Sequence, residues 1–322
     1  MGRLVCADFD EFQEALYGVQ GHYVLRSRQQ RDWRLRVVEL GEVALMFGRE
    51  GAGTVYSGVG LPGFYNVFLP LSRHACTVLG GQAMTPRLVG WMVPEAMFHI
   101  DASQPASWMT VAMSCEQVLG WAQRHEDEFD LGLLAGNLLC PARQDLAPLI
   151  DLALRLLRID HCAPQELHTP AGERAASRDL LDQVFHSLLP LAPARGASLG
   201  QHHQRILRRA LELVRATADT PLHLADLCQA CNTSERTLRN LFTRHLGMSP
   251  HRYLMLHRLH AIRAAILRAG LGETITDICA RFGVWDFGRF AGVYRRHFGE
   301  LPSQSLRSRR ATPPADGFAD FT

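Results

Sequence analysis

The sequence predicts an α+β protein in which a strand-rich N-terminal region is followed by an all-helical C-terminal region. Short runs of β-branched and aromatic residues, separated by Gly and Pro, fill the first 130 residues. From about Cys115 onward, apolar residues recur every three or four positions, as they do in amphipathic helices. The charge also changes along the chain, because residues 201–310 hold 18 Arg against 8 Asp and Glu, whereas residues 1–200 hold 16 Arg against 22.

The overall composition is that of a globular protein. The chain has 322 residues, of which 47% are hydrophobic and 20% are charged, and this length predicts about two domains. Such a composition excludes a disordered chain and a small disulfide scaffold. No apolar run approaches the roughly 18 residues of a membrane span, and the N-terminus has no secretory pattern. We therefore expect no membrane partner. Because the eight cysteines are scattered, we also expect a reducing, cytoplasmic location.

Seven short segments of the N-terminal region have the composition of β-strands. Val, Ile, Tyr, Phe and Trp are frequent in them, and Gly or Pro residues stand between them. The segments are residues 36–47 with a break at Gly41, 54–56, 64–69, 77–79, 87–93, 97–100 and 108–113. Many short strands with Gly and Pro turns favour a β-sandwich or a β-barrel.

Two amphipathic helices are predicted after the strands. Apolar residues recur at helical spacing in residues 146–157 and again in residues 180–189, where Pro190 ends the pattern. Residues 191–202 are rich in Pro, Ala and Gly, which is the composition of a linker. The sequence therefore predicts that the strands and these two helices form one unit, joined by the linker to a second unit.

The second unit has the pattern of a helix-turn-helix motif. A short helix over residues 224–231 is followed by turn residues at Asn232 and by Ser234, which is a favourable N-cap for the next helix. In that next helix, Leu238 and Phe242 lie on one side and Arg residues lie on the other. A short helix, a tight turn and a second helix with a basic face are typical of this DNA-binding motif.

The same pattern occurs a second time after a long helix that begins at Pro250. A short helix over residues 275–282 precedes a last helix that begins near Trp285 and presents Arg289, Arg295 and Arg296 outward. Because residues 201–310 carry a formal net charge of +10, we expect both motifs to face a nucleic acid. The sequence contains no Lys, so phosphate contacts must come from guanidinium groups or neutral donors.

Residues 203–308 resemble the DNA-binding domain of the AraC/XylS family of transcriptional regulators. The first half of the resemblance lies in residues 225–228, 234–238, 242, 247–250, 253–254 and 258–259. The second half lies in residues 278–284, in Phe290 and in the closing signature at 294–303, where Phe-Gly-Glu-Leu-Pro-Ser is similar to the ending of ethanolamine-operon regulators. The two half-patterns agree in order and spacing, which makes the resemblance specific.

The resemblance implies a domain layout. Residues 1–190 would form a cupin-like β-barrel with two trailing helices, which binds an effector and dimerises, and residues 191–202 would be the linker. Residues 203–308 would bind DNA through two helix-turn-helix motifs joined by a long helix, and residues 309–322 are expected to be a disordered tail. The implied partners are promoter double-stranded DNA, RNA polymerase, an unidentified small-molecule effector and a second copy of the chain. Activation is the commoner mode in the family, and repression stays open.

The resemblance also assigns DNA-contacting residues. In the first recognition helix, the base-contacting positions fall on Arg236, Arg239 and Asn240, whose side chains suit guanine and adenine edges. In the second recognition helix, they fall on Phe287, Gly288, Ala291 and Gly292, of which Phe287 and Ala291 can contact thymine methyl groups. The expected phosphate contacts are Thr237, Arg244, Ser249, Arg289 and Arg295.

An effector pocket is expected in the mouth of the barrel, because small barrels can hold one small ligand there. The candidates to line it are Arg34, Arg36, Tyr56, Trp91, His99 and Trp108. The strands lack the clustered His and Glu of a metal-dependent cupin enzyme, so no metal, cofactor or catalytic residue is expected. The Cys-x-x-Cys at Cys228 and Cys231 is interpreted as part of the helical core.

Two alternative functions stay open at this point. One is an architectural DNA-binding protein that responds to no effector, and it predicts no ligand-induced change in melting temperature. The other is a cupin-type enzyme fused to a DNA-binding module, and it predicts stoichiometric metal in the purified protein.

Overall fold

The structure is a computed structural model, and it has the mixed α+β fold class that the sequence predicts. It describes residues 4–6, 9–16, 19–26, 32–72, 77–125, 138–142, 145–188, 201–217, 222–270 and 272–311. Strands are confined to the N-terminal region, and every described element after residue 146 is a helix.

Twelve β-strands are described. They are β1 Leu4–Cys6, β2 Val19–Leu25, β3 Trp33–Leu40, β4 Val43–Arg49, β5 Thr54–Gly60, β6 Phe64–Pro70, β7 Thr77–Leu79, β8 Gln82–Ala83, β9 Leu88–Met92, β10 Met97–Ala102, β11 Ser107–Ser114 and β12 Leu138–Pro141. Segment 36–47, in which the sequence predicts a break at Gly41, is a hairpin of β3 and β4. Gly41 has a φ of 67° in its turn, a conformation that favours glycine. The strand β2 was not among the segments predicted from the sequence.

The described strands form two antiparallel sheets instead of one closed barrel. The first sheet has the order β1-β3-β4-β11-β6-β9-β12 and the second has the order β2-β5-β10-β7-β8, so each sheet keeps two edges. The expectation of a single closed barrel is corrected here. The two sheets pack face to face through large side chains, which removes apolar surface from water. This packing needs no hydrogen bonds between the edge strands of the two sheets.

Aromatic rings fill the space between the two sheets, and glycines make room for them. Tyr56 on β5 and Trp108 on β11 belong to this core together with Trp33. A Cβ atom on Gly48 would lie 2.2 Å from the Trp108 ring, and one on Gly58 would lie 2.4 Å from the Tyr56 ring. Any larger residue at these two positions would therefore displace the rings that form the core.

Twelve helices are described. They are α1 Phe9–Glu14, α2 Cys115–Arg124, α3 Ala147–Cys162, α4 Pro164–Leu167, α5 Pro170–Leu188, α6 Gln201–Ala216, α7 Leu224–Ala230, α8 Glu235–Leu246, α9 Pro250–Arg268, α10 Ile275–Arg281, α11 Phe287–Phe298 and α12 Pro302–Ala311. The helices α2, α3 and α5 cover the outer face of the seven-stranded sheet, where Trp121 stacks on Phe185 with ring centroids 4.3 Å apart.

The C-terminal helices pack directly on the outer face of the five-stranded sheet. Val24 and Val55 of the sheet share a core with α6, α8 and α9. Arg26 forms an ion pair with Asp101 and donates a hydrogen bond of 2.8 Å to the carbonyl oxygen of Gly247, at the end of α8. Arg215 of α6 donates a hydrogen bond of 2.7 Å to the carbonyl oxygen of Ser57. The two regions therefore share a polar and apolar contact surface.

The ends of the C-terminal region differ in detail from the sequence-based expectations. Residues 189–200, which include most of the expected linker, lie outside the described residues, and α6 begins at Gln201. The helix α12 continues to Ala311, three residues into the segment expected to be a disordered tail, and residues 312–322 lie outside the described residues. Within the part of the chain that the structure describes, no helix is long and apolar enough to cross a membrane.

Candidate nucleic-acid interface

The C-terminal region contains two helix-turn-helix units with the same local construction. In the first unit α7 leads into α8, and in the second unit α10 leads into α11. Ser234 caps α8 by accepting a hydrogen bond from the Thr237 backbone N–H, and Asp286 caps α11 by accepting one from the Arg289 backbone N–H. Both helices end at a glycine in the left-handed conformation.

The turn between the helices also repeats its hydrogen bonds. In the first unit the Thr233 backbone N–H donates to the Cys228 carbonyl oxygen over 3.0 Å. In the second unit the Val284 backbone N–H donates to the Cys279 carbonyl oxygen over 2.9 Å. Cys228 and Cys279 therefore occupy equivalent positions, and Cys279 is buried. The buried Cys231 donates from Sγ to the Ile206 carbonyl oxygen over 3.7 Å, so both cysteines of the Cys-x-x-Cys belong to the helical packing.

The first recognition helix, α8, presents the base-contacting residues that the sequence predicts. Arg236, Arg239 and Asn240 are all exposed, while Leu238, Leu241 and Phe242 are buried on the opposite side. Arg239 forms an ion pair with Glu235 one turn earlier. Because exposed ion pairs of this kind contribute only about 0.3–0.5 kcal/mol, Arg239 can exchange Glu235 for a guanine edge at little cost.

The residues that are predicted to contact phosphates differ in their exposure and in their neighbours. Arg289 and Arg295 are exposed on α11, and Ser249 caps α9 by accepting a hydrogen bond from the Arg252 backbone N–H. Thr237 lies half-buried beside the Ser234 hydroxyl. Arg244 is exposed, but it lies beside Gly81 of the β7–β8 hairpin, where a Cβ atom would come within 3.3 Å of its Cγ.

The second recognition helix, α11, presents a surface without hydrogen-bonding side chains at the base-contacting positions. Phe287 is exposed, Ala291 is half-buried, and Gly288 and Gly292 have no side chain. Trp285, immediately before the helix, is also exposed, and no role for it was predicted from the sequence. Its position next to the N-cap Asp286 is the feature of the sequence that could have indicated a DNA contact.

Comparisons with known proteins agree with this geometry. A family model described as a helix-turn-helix domain matches residues 227–308. A stretch of 100 residues is 35% identical to the XylDLEGF operon transcriptional activator of Pseudomonas putida, covering 31% of this chain and 31% of that protein. Residues 227–308 form an AraC-type helix-turn-helix domain. The probable thc operon regulatory protein of Rhodococcus erythropolis is 38% identical over 104 residues, which cover 32% of this chain and 31% of that protein.

These alignments span about a third of the relatives' own length. The crystal structure of the AraC-like transcriptional activator CuxR aligns with 77% of this chain and 88% of that chain. The TM-score of that alignment is 0.39, and the sequence identity is 16%.

Outside the AraC-type domain, the structure does not bring the six candidates for an effector pocket together. Arg34 is exposed and pairs with Asp32, while Arg36 bonds Asp160 on α3 over 3.1 Å. Trp91 lies in the core between the first sheet and its helices. His99 faces the AraC-type domain from the second sheet, and burial lowers its pKa to about 3. The candidates separate because each strand has two faces, and the register of the strand pairing decides which face of the sheet each candidate occupies.

Tyr56 and Trp108, the two remaining candidates, share the space between the sheets with a buried carboxylate. Glu50 accepts hydrogen bonds from Trp108 Nε1 over 2.9 Å, from the Tyr23 hydroxyl over 3.1 Å and from the Thr54 hydroxyl over 2.5 Å. Burial raises the pKa of Glu50 above the usual range of a carboxyl group. Among the described residues, the Tyr56 hydroxyl and Trp33 Nε1 are buried without a hydrogen-bond partner. Glu50 carries no signal of this role in the sequence, because a single Glu among Gly residues resembles a turn.

A separate cleft of about 760 Å³ opens between α2, α5 and the β3–β4 turn. Its lining is mixed in charge and includes Glu42, Arg124, His168 and Arg174. Within the described parts of the chain, no group of three or more His, Cys, Asp or Glu side chains is placed to hold a metal ion.

Proposed function

We propose that this chain is a transcription regulator that recognises promoter DNA in the cytoplasm, responds to a small-molecule effector and activates transcription through contact with RNA polymerase. In this proposal residues 1–190 bind the effector and form a homodimer, residues 191–202 are the linker, and residues 203–308 bind DNA. The observation that carries the proposal is the exposed set of Arg236, Arg239 and Asn240 on the recognition helix of an AraC-type domain.

The division of roles between the two motifs follows from their side chains. Arginine can donate two hydrogen bonds to guanine O6 and N7, and asparagine can pair with adenine, so α8 is the element that specifies bases by hydrogen bonding. The arginines of α11 flank positions that have no polar side chain, and we assign Arg289 and Arg295 to phosphates.

We expect Arg239→Ala and Arg289→Ala to weaken DNA binding in different ways. Arg239→Ala should cost about 1–3 kcal/mol on the preferred site and relax the preference at one base pair. Arg289→Ala should weaken binding about equally on all sequences and reduce the slope of log affinity against log salt by about one. Both variants are measured by binding-site selection and by fluorescence anisotropy across a salt series.

The matched control is Arg178→Ala, because Arg178 is exposed on α5, far along the chain from both motifs. Its affinity and salt slope should equal those of the parent protein. If Arg289→Ala changes the selected sequence while Arg239→Ala leaves it intact, the two roles are reversed. Salt-insensitive binding, or no binding, by the parent protein would refute the regulator function itself.

We place the effector site between the two sheets, around Glu50 and Tyr56. The Tyr56 hydroxyl and Trp33 Nε1 are buried without a described hydrogen-bond partner, which costs about 1–3 kcal/mol for each group. A ligand whose polar groups bonded these atoms would recover that free energy, and it would displace some of the aromatic rings that fill the space between the sheets. Such a ligand would be a small molecule with an apolar body and one or two hydrogen-bonding groups.

We expect a thermal-shift screen of metabolites to find ligands that raise the melting temperature of the parent protein. A ligand at a hundred times its dissociation constant stabilises the folded state by about 2.7 kcal/mol. Tyr56→Phe removes only the hydroxyl without a described partner, so the unliganded variant should be at least as stable as the parent, while the ligand-induced shift should shrink. A shift that persists in Tyr56→Phe but disappears in Arg174→Ala would place the effector in the cleft beside α5 instead.

A further inference from the structure

Trp285 is the most exposed large apolar side chain among the described residues. Its exposed fraction is 73%, and the neighbouring Phe287 is 37% exposed. A tryptophan offers a large contact area when it is buried, so leaving one in water forgoes a substantial stabilisation. The other four tryptophans of the chain, Trp33, Trp91, Trp108 and Trp121, are between 0% and 6% exposed.

The position of Trp285 is at the leading end of the second recognition helix. Trp285 immediately precedes Asp286, the N-cap of α11. In helix-turn-helix motifs the N-terminal residues of this helix are the ones that reach base edges in the major groove. At the equivalent position of the first unit, before the cap Ser234, the chain has the half-buried Thr233. The two units therefore differ at this position, polar in the first and aromatic in the second.

Exposed arginines along the helix that Trp285 precedes favour an anionic partner. Arg289, Arg295 and Arg296 are exposed on α11, and none of them forms an ion pair with a described carboxylate. Among the acidic groups of the same unit, Glu273 pairs with Arg281, Asp277 accepts a hydrogen bond from the Thr274 hydroxyl, and Asp286 caps α11. An exposed aromatic side chain at the start of a helix that carries several exposed guanidinium groups matches a DNA groove, where phosphates flank apolar base surfaces.

We propose that Trp285 is a specificity-determining residue of the second motif, which contacts thymine methyl groups in the major groove. The side chain supplies the apolar contact that Gly288 and Gly292 cannot make, and the glycines leave space for the bases to approach α11. The second motif thereby selects sequence by apolar contact, whereas the first motif selects by hydrogen bonding. This inference rests on the proposed DNA-binding function.

The test is a double-mutant cycle between the protein and the DNA, made with the full-length chain. Thymines of the selected site are replaced by uracil, which lacks only the methyl group. The thymines are replaced one at a time, and at a thymine that Trp285 contacts the parent protein should lose about fourfold in affinity, whereas Trp285→Ala should lose less than about twofold. Trp285→Ala should also bind the thymine site at least about tenfold more weakly than the parent, with an unchanged salt slope.

Tryptophan fluorescence gives an independent measurement on the unmodified protein. Because the other tryptophans are buried, Trp285 should account for the emission that acrylamide quenches readily. Binding of the selected DNA should protect that emission, whereas Trp285→Phe should lack the quenchable component from the start. If Trp285 stays as quenchable in the specific complex as in the free protein, the side chain faces something other than DNA and the proposal is wrong.

Controls separate this proposal from the function on which it rests. Leu154→Ala removes another exposed apolar side chain, on α3, and should leave DNA binding unchanged. Urea unfolding of Trp285→Ala should match the parent, because the side chain makes few contacts in the fold. An equal loss on uracil DNA for both proteins overturns the role of Trp285 while DNA binding stands. A parent protein that binds no DNA overturns both.

Discussion

Arg263→Met should destabilise the folded protein by about 3 kcal/mol, although Arg263 touches no expected ligand. Its guanidinium is buried in α9 and bonds Asp10 of α1 over 2.7 Å and Glu300 over 2.7 Å. Removing one member of a buried ion pair leaves the other charges uncompensated, which typically costs 3–5 kcal/mol. The lower value applies because Asp10 and Glu300 retain partial contact with water.

The same guanidinium also bonds the Tyr294 hydroxyl and lies 4.6 Å from the centre of the Phe298 ring. It therefore links α1 of the N-terminal region to α11 of the AraC-type domain. The loss is measured by urea unfolding, with Arg281→Met as the matched control. Arg281 pairs with Glu273 at the surface, so that variant should lose less than about 1 kcal/mol. Equal losses in the two variants would contradict the role assigned to Arg263.

Acidification from pH 7 to pH 5 should destabilise the protein by several kcal/mol, because buried histidines lie between the two regions. Nε2 of His260 on α9 accepts a hydrogen bond from the Leu25 backbone N–H over 3.0 Å. An accepting ring nitrogen carries no proton, so this hydrogen bond requires the neutral form of His260. Burial is the largest cause that lowers the pKa of His260 well below its ordinary value, and the neighbouring His297, His22, Arg263 and His257 add to it.

The sign follows from the difference between the folded and unfolded states. Below about pH 6.5 the unfolded chain binds a proton at each histidine that the folded state keeps neutral, so the free energy of unfolding falls with falling pH. His260 alone should contribute a loss of about 2 kcal/mol between pH 7 and pH 5. His245, His257 and His297, with pKa values lowered to about 4 chiefly by burial, act in the same direction.

Urea unfolding at several pH values measures this loss. Glu50 and Asp101, whose pKa values burial raises, act in the opposite direction, but they are fewer than the histidines. His260→Gln should flatten the dependence on pH, whereas His251→Gln, at an exposed position of the same helix, should leave it as in the parent. A free energy of unfolding that stays constant from pH 7 to pH 5 would show that the histidines do not remain neutral in the folded state.

The helix-turn-helix units could be predicted from local signals in the amino-acid sequence. Ser234 and Ser249 cap the helices that follow them, and Gly247 takes a φ of 60° at the end of α8. The helical period then places Arg239 outward and Phe242 inward, as the burial of the two side chains confirms. Caps and period act within a few residues, so no distant contact is needed to predict them.

The grouping of the strand residues into shared spaces could not be predicted, because it depends on how the sheets pair and pack. Trp91 and Trp108 both lie in short apolar strands, yet Trp91 packs against the helices and Trp108 packs between the sheets. Side chains alternate between the two faces of a sheet, so a shift of one residue in register exchanges the faces. Strand pairing over long sequence separations, such as that of β4 with β11, fixes the register, and no local pattern encodes it.

The contact between the two regions was likewise decided by tertiary structure. His260 and Arg263 fall within an apolar helical pattern, and their hydrogen bonds reach Leu25 and Asp10, more than 230 residues earlier. The exposure of Trp285 could not be predicted either. Its sequence neighbours place it at the start of a helix, but the packing of the whole chain leaves its side chain in water. Burial depends on every element that packs nearby, so it emerges only when the whole chain is assembled.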